Sequence, residues 1–409
     1  MVAPSKVAAA SAVPLVETEA REPARKRLDS VDLLRGVVIV VMALDHVRDY
    51  FTRATHLFDP TDLTKTTAPI FLTRWITHFC APTFVFLAGT SAFLYGSRPG
   101  RTRNELARFL LTRGLWLVFI EMTVVRLAWQ FNFNYHFINI QVIWAIGWSM
   151  VALAGVVYLP MWAIGLFGVA MIATHNLFDG IGVAPLVSAP GVFAHASVRD
   201  WLWSILHVQN PPVTYPLIPW IGVMAAGYAF GPVLQHDPNH RRRELIWLGT
   251  ALIAGFVVLR TINGYGDPHH WSSQPTGLFT FLSFLNTTKY PPSLLFLLMT
   301  LGPAILSLVL FERSRGPLAR FFIVYGRVPF LFYVAHLYLI HALVLLVAGS
   351  RGDDLHGYLV VWRFMPESWG YGLGVAYAVW VFVVLALYPV CRWFAGVKAT
   401  RRDAWLSYL

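Results

Sequence analysis

The sequence is short of charge and almost without cysteine. Of 409 residues only 13% are charged, against about 25% in a soluble globular protein. That is too little charge to cover a particle of this size in water, which excludes a soluble globular fold. Two cysteines, Cys80 and Cys391, exclude a disulfide framework and a thiolate metal cluster. On the topology below they lie near opposite faces of a membrane, beyond disulfide reach. What the chain has instead is apolar bulk: 56% hydrophobic residues and a mean hydropathy of +0.56. Its natural solvent is the lipid bilayer.

Lys and Arg number 32 against 21 Asp and Glu, a net charge of +11. In a soluble protein that excess would point to nucleic acid. Here its placement accounts for it, and no nucleic-acid partner is expected. A spanning helix needs about 20 mostly apolar residues. Candidate spans are 33–51, 75–96, 105–128, 137–158, 160–177, 215–234, 245–262, 290–311, 328–348 and 371–393. The N-terminal tail, 97–108, 235–243, 312–327 and the C-terminal end carry 20 of the 32 Lys and Arg, and the longer opposite connectors only 10. By the positive-inside rule both termini are cytoplasmic. The expectation is an all-α polytopic protein of about ten transmembrane helices in the plasma (bacterial inner) membrane. Residues 1–28 read as a disordered cytoplasmic tail, 29–395 as the membrane domain and 396–409 as a cytoplasmic C-terminal tail. The outer connectors 52–74, 178–214, 263–289 and 349–370 carry Trp, His, Pro and Asp and together suit a lid over the outer mouth. The apolar stretch 276–286 is too short to span.

Charges within a membrane core are costly and are functional candidates by default. The first span reads VDLLRGVVIVVMALDHVRDYF. Asp32 and Arg35, three apart, can pair on one helix face. Arg35 and His46, eleven apart, fall within about 20° of one stripe and about 16 Å apart along it. This places a guanidinium near the cytoplasmic side and an imidazole near the outer side, as for a path through the protein. The bland alternative is a snorkelling arginine and an interfacial histidine. His78, at the outer end of the second span, lies about level with His46. Glu121, buried in the third span, meets Arg126 only imperfectly at five apart, so a partner on another helix is expected. Asn132, Asn134 and His136 follow at the outer mouth, suited to sugar hydroxyls or to ending a helix. His336 falls mid-span in the ninth helix, with Tyr333 one turn before it and His341 beyond. Arg320 and Arg327, on the cytoplasmic side, can neutralise phosphates or simply obey the positive-inside rule. Of 14 histidines, most sit in the outer half, and neutral imidazole is a general base near pH 7.

The segments RLDSVDLLRGVVIVVMALDHVRDYF and THFCAPTFVFLAGTSAFL resemble the catalytic domain of the heparan-alpha-glucosaminide N-acetyltransferase family. TYPLIPWIGVMAAGY and YGRVPFLFYVAHLYLIH are similar to its bacterial members, and the resemblance covers most of 27–395. It implies that acetyl-CoA binds from the cytoplasm between helices and that the acetyl group passes to an amine or hydroxyl of a sugar or glycan on the far side. Arg35 then serves the CoA side, joined by Arg113, Arg320 and Arg327, and His46 the acceptor side. The family places its catalytic histidine between the first two helices, which leaves His46, His56 and His78 all open as the base. Asp49, three residues after His46, is a candidate to orient its imidazole. Asp32, Glu121, Arg126, Asn132, Asn134, His336 and His341 make up the remaining polar set. No metal and no haem are expected, and a homodimer is compatible with the sequence. The main rival is a proton-coupled transporter or lipid flippase, which would use the same buried His, Glu and Arg.

Overall fold

The structure is a computed structural model that describes residues 28–135, 137–189, 192–401 and 403–407. The expected N-terminal tail, save Leu28, and His136 lie outside the described residues. Helix dominates: α1 (Asp29–Phe51), α2 (Arg53–Leu57), α3 (Ala68–Thr77), α4 (Cys80–Gly96), α5 (Arg103–Ile120), α6 (Arg126–Gln130), α7 (Val142–Val156), α8 (Met161–Thr174), α9 (Val198–Leu206), α10 (Leu217–Phe230), α11 (Pro238–Ile262), α12 (Gly277–Leu285), α13 (Leu294–Glu312), α14 (Pro317–Arg327), α15 (Pro329–Ser350) and α16 (Leu373–Thr400). A two-stranded antiparallel hairpin, β1 (Val187–Ala189) with β2 (Val192–Phe193), interrupts the helical pattern within the connector 178–214.

Among the described residues, seven helical stretches are long and apolar enough to cross a membrane, and each coincides with an expected span. The other three expected spans differ for separate reasons. Helix α1 is 23 residues long but carries Asp29, Asp32, Arg35, Asp45, Arg48 and Asp49. Helix α5 begins at a capping box, Thr102 with Glu105, and carries three arginines. Helix α7 has only 15 residues, about 22 Å at 1.5 Å per residue. The count of ten therefore does not follow from length and hydropathy.

The charge of α1 is tolerable because the helix is enclosed by protein. It packs against α3, α4, α13, α14, α15 and α16, whereas α11 and α16 turn Trp247 and Leu385 outward. The crossing of α1 with α14 is backbone on backbone. A Cβ on Gly36 would lie 1.8 Å from the Phe322 carbonyl oxygen, and one on Gly326 would lie 1.7 Å from that of Asp32. Only glycine fits at either position. Residues 317–327, expected as connector, are thus a helix that fixes the position of α1. Helix α16 likewise runs past 395, taking in the first residues of the expected C-terminal tail. The short apolar segment 276–286 forms α12, whose C-terminal carbonyls are held by the buried guanidinium of Arg260, at 3.0 Å from Phe284 O and 2.6 Å from Asn286 O.

Candidate active site

One stripe of α1 organises the interior. Arg35, Ile39 and Met42 line one cavity, and His46 and Asp49 a second. The intervals of four, three, four and three residues keep all five on a single helix face.

The first cavity, of about 410 Å³, is apolar in depth and basic at its rim. Ala81, Leu87, Ala92, Leu117, Ile143 and Met150 supply the depth, and Arg35, Arg98, Arg113, Arg327 and Lys398 the charge. Arg35 pairs with Asp32 at 3.1 Å, as its spacing implied, and donates to Ser91 Oγ at 2.5 Å. Arg320 lies outside this lining, exposed, its Nε near the Gly316 carbonyl of its own helix. Arg98 and Lys398 were not singled out from the sequence. Both lie in stretches expected as cytoplasmic connector or tail, where basic residues are ordinary.

The second cavity, of about 600 Å³, is polar. All four long outer connectors reach it or its annex: His56, Phe58 and Asp59 from the first, Gln209 and Thr214 from the second, Lys289 beside Tyr290 at the end of the third, and Trp362 and Arg363 from the fourth. At its base Asp45 holds three cations. Its carboxylate accepts from Arg74 at 2.7 Å and Thr77 Oγ1 at 2.7 Å, and lies 2.8 Å from Arg48 and 3.7 Å from Lys289. Asp49 pairs with Arg48 at 2.6 Å. The expectation that Asp49 orients His46 is therefore corrected: the neighbouring arginine takes its carboxylate. Asp45 carries the network and was missed, because an acidic residue beside a histidine has no spacing signature of its own.

The partner of His46 is His336. Their rings stack at 6° and 5.0 Å, with His46 Nδ1 2.7 Å from His336 Nε2. His336 Nδ1 lies 2.8 Å from the Phe332 carbonyl oxygen, which only accepts, so Nδ1 carries the proton. In a neutral ring Nε2 then bears the lone pair and accepts from His46 Nδ1. This leaves the lone pair of His46 on Nε2. Two further side chains close around the ring: Trp129 at 5.0 Å and Tyr333 at 6.0 Å between centroids. Trp129 Nε1 and Tyr333 Oη are buried donors without a hydrogen bond of normal geometry. Tyr333 lines the basic cavity and His46 the polar one, while Gln141 and Val142 face the two cavities in turn. The rings of His46 and Tyr333, 6.0 Å apart between centroids, form the septum.

His78 does not face His46. It lies in an annex of about 290 Å³ that shares Asp59, Arg74, Gln209 and Tyr290 with the polar cavity, its ring 5.3 Å from Phe296. His56 lines the polar cavity on α2, outside the spans, and burial holds its imidazole below the usual value, so that it is neutral at pH 7. Glu121 does not pair with Arg126. It opens a π-helical stretch, Glu121–Val125, and accepts from the Gln141 backbone N–H at 3.2 Å, at the start of α7. This contact anchors the start of α7, where Gln141 lines the polar cavity and Val142 the basic one. Arg126 instead gathers the following turn, donating to Gln130, to Asn132 and to the Asn134 carbonyl, with its guanidinium 4.4 Å from the Tyr135 ring. Asn132 also donates to the Leu359 carbonyl, so its amide is engaged in shaping the loop. His341 bridges the carbonyls of Ala128 and Tyr358.

Fold and cavities together define a polytopic helical membrane protein with a buried histidine pair between two chambers. The family model described as heparan-alpha-glucosaminide N-acetyltransferase, catalytic, matches residues 27–260. That is more than half of the chain, and the protein belongs to this family of membrane acetyltransferases. No curated protein matches it. Helix α1 and His46 lie within the matched stretch; Tyr333, His336 and Lys398 lie beyond it.

Proposed function

We propose that the protein transfers the acetyl group of acetyl-CoA, bound in the basic cavity from the cytoplasm, to an amine or hydroxyl of a sugar or glycan in the polar cavity on the far side of a bacterial inner membrane. The observation that carries this is the His46–His336 pair beside Tyr333, where the basic and polar cavities come nearest each other through adjoining rings. The basic rim suits a diphosphate and the apolar depth suits a pantetheine arm, which leads the thioester to Tyr333. The aromatic and amide lining opposite suits hydroxylated rings.

His46 Nε2 removes the acceptor proton as nitrogen or oxygen attacks the thioester carbonyl. The C–S bond then breaks, and the imidazolium returns its proton to the departing thiolate. Both products are neutral at the reacting atoms. We assign Trp129 Nε1–H and Tyr333 O–H to the developing oxyanion, a role typically worth about 3–4 kcal/mol per donor. His336 fixes the tautomer. Arg35, Arg98, Arg113, Arg327 and Lys398 hold the donor's phosphates.

Proteoliposomes given radiolabelled acetyl-CoA on one face and amino sugars or glycans on the other test the reading. Acetylated acceptor on the opposite face, lost in His46→Ala, is expected. Counterflow of acceptor without acetyl-CoA would instead make the protein a transporter.

A further inference from the structure

A second polar cluster lies apart from both cavities, where no metal was expected from the sequence. His175 and Asp179 follow α8, four residues apart, and His207 caps the C-terminal end of α9. One ligand atom from each of the three lies within 4.8 Å of the others. His207 Nε2 is already 3.1 Å from Asp179 Oδ1. Tetrahedral Zn²⁺ with N and O ligands at about 2.0–2.1 Å sets them about 3.4 Å apart, so a small inward movement of His175 completes the triangle. His175 and His207 are each 1% exposed. Neither ring nitrogen of His175 has a hydrogen-bond partner, nor has Nδ1 of His207. A fully buried imidazole with both nitrogens orphaned is costly, and a bound cation removes that cost. Asn176 Nδ2 donates to Asp179 Oδ2 at 2.7 Å and so orients the carboxylate, as outer partners of metal ligands do. Asp179 remains 20% exposed, leaving a side open for a water.

We infer that His175, Asp179 and His207 form a binding site for a divalent transition metal, with zinc the best match to two imidazoles and one carboxylate. The ion pins the end of α8 to α9. The chain just after His207 supplies Gln209, Pro211 and Thr214 to the polar cavity, so the site braces one wall of that chamber. A rival trio, His236, His240 and Glu244, has two exposed histidines whose ring nitrogens already lie 2.6 and 3.1 Å from the Glu244 carboxylate, and it lacks a buried orphan.

The test is zinc content of the full-length protein, purified without a histidine tag, equilibrated with buffered Zn²⁺ and measured by elemental mass spectrometry. About one zinc per chain is expected, retained in the double variant His236→Ala/His240→Ala and lost in His175→Ala/His207→Ala. In wild type, chelation should lower the Tm and added Zn²⁺ restore it, a reading that does not depend on the variant folding. Co²⁺ in place of zinc should give the visible absorption of a four-coordinate site. No stoichiometric zinc in wild type, zinc that survives loss of both His175 and His207, or zinc lost with His236 and His240 would each overturn the assignment.

Discussion

The two chambers share a wall and little else. On the basic side, side chains from α1, α4, α5, α7 and α15 make an apolar shaft with cations at the rim. On the polar side, connectors supply most of the lining, and the charges sit at the base in a closed network around Asp45. The difference is one of tasks. A shaft walled by packed helices can hold a long arm in one geometry, while loops on a rigid base can be varied to suit an acceptor. Helix α1 serves both, and the change of character falls between Met42 and Asp45. The proposed chemistry needs the boundary there, and the predictions below probe it in descending order of effect.

Removing the boundary histidine should do most. His46→Ala is expected to lower kcat for acetyl transfer by about 10²–10⁴-fold, the usual worth of a general base, with acetyl-CoA affinity retained. His56→Ala, which changes only the lining of the polar chamber, should cost far less. Equal losses would move the base to His56 and erase the distinction drawn at the septum. Next in size is the base of the polar chamber. Asp45→Asn leaves Arg48, Arg74 and Lys289 facing one another with one less charge between them. Loss of one member of a buried ion network typically costs about 3–5 kcal/mol, so a clear fall in Tm is expected, with the purified variant hard to keep folded. An unchanged Tm would mean that solvent already screens the cluster.

Much of this was legible in the sequence. The spans that α4, α8, α10, α11, α13, α15 and α16 occupy show in hydropathy, and the Asp32–Arg35 pair and the Arg35–His46 stripe show in helical periodicity. Pairings between helices were not legible. Nothing local links His46 to a residue 290 positions later, and the depth at which His78 faces inward gives no hint that Phe296 is its neighbour. Asp45 escaped notice because its meaning lies in three cations drawn from α1, α3 and the end of a distant connector. Arg98 and Lys398 were hidden by the positive-inside rule, which explains any basic residue on that side equally well.

The basic chamber should respond to charge in its own way. Arg35→Gln removes a cation from the cavity lining and leaves Asp32 with less company. A charge-assisted hydrogen bond is worth about 1.5–3 kcal/mol, so KM for acetyl-CoA should rise by roughly ten- to a hundredfold, with KM for the acceptor unmoved. A rise in the acceptor's KM would show the chambers to be one. His336→Gln tests the shared wall more gently. Glutamine can still accept from His46 Nδ1, so kcat should fall less than in His336→Ala.

The smallest effect should come from behind the septum. Glu121 accepts from the backbone of Gln141 where α7 begins, and the two residues at that start face opposite chambers. Glu121→Gln keeps an acceptor oxygen in place for the Gln141 N–H. A Tm within a few degrees of wild type, with both KM values changed less than twofold, is the expected result. Glu121→Ala takes away the oxygen and frees the start of α7 to move. If the two chambers are separated by a wall that depends on this anchor, the alanine variant should hydrolyse acetyl-CoA without acceptor faster than wild type, because water from the polar side then reaches the thioester. A variant that stays as tight as wild type would show that Tyr333, Trp129 and the histidine pair seal the septum without help from α7.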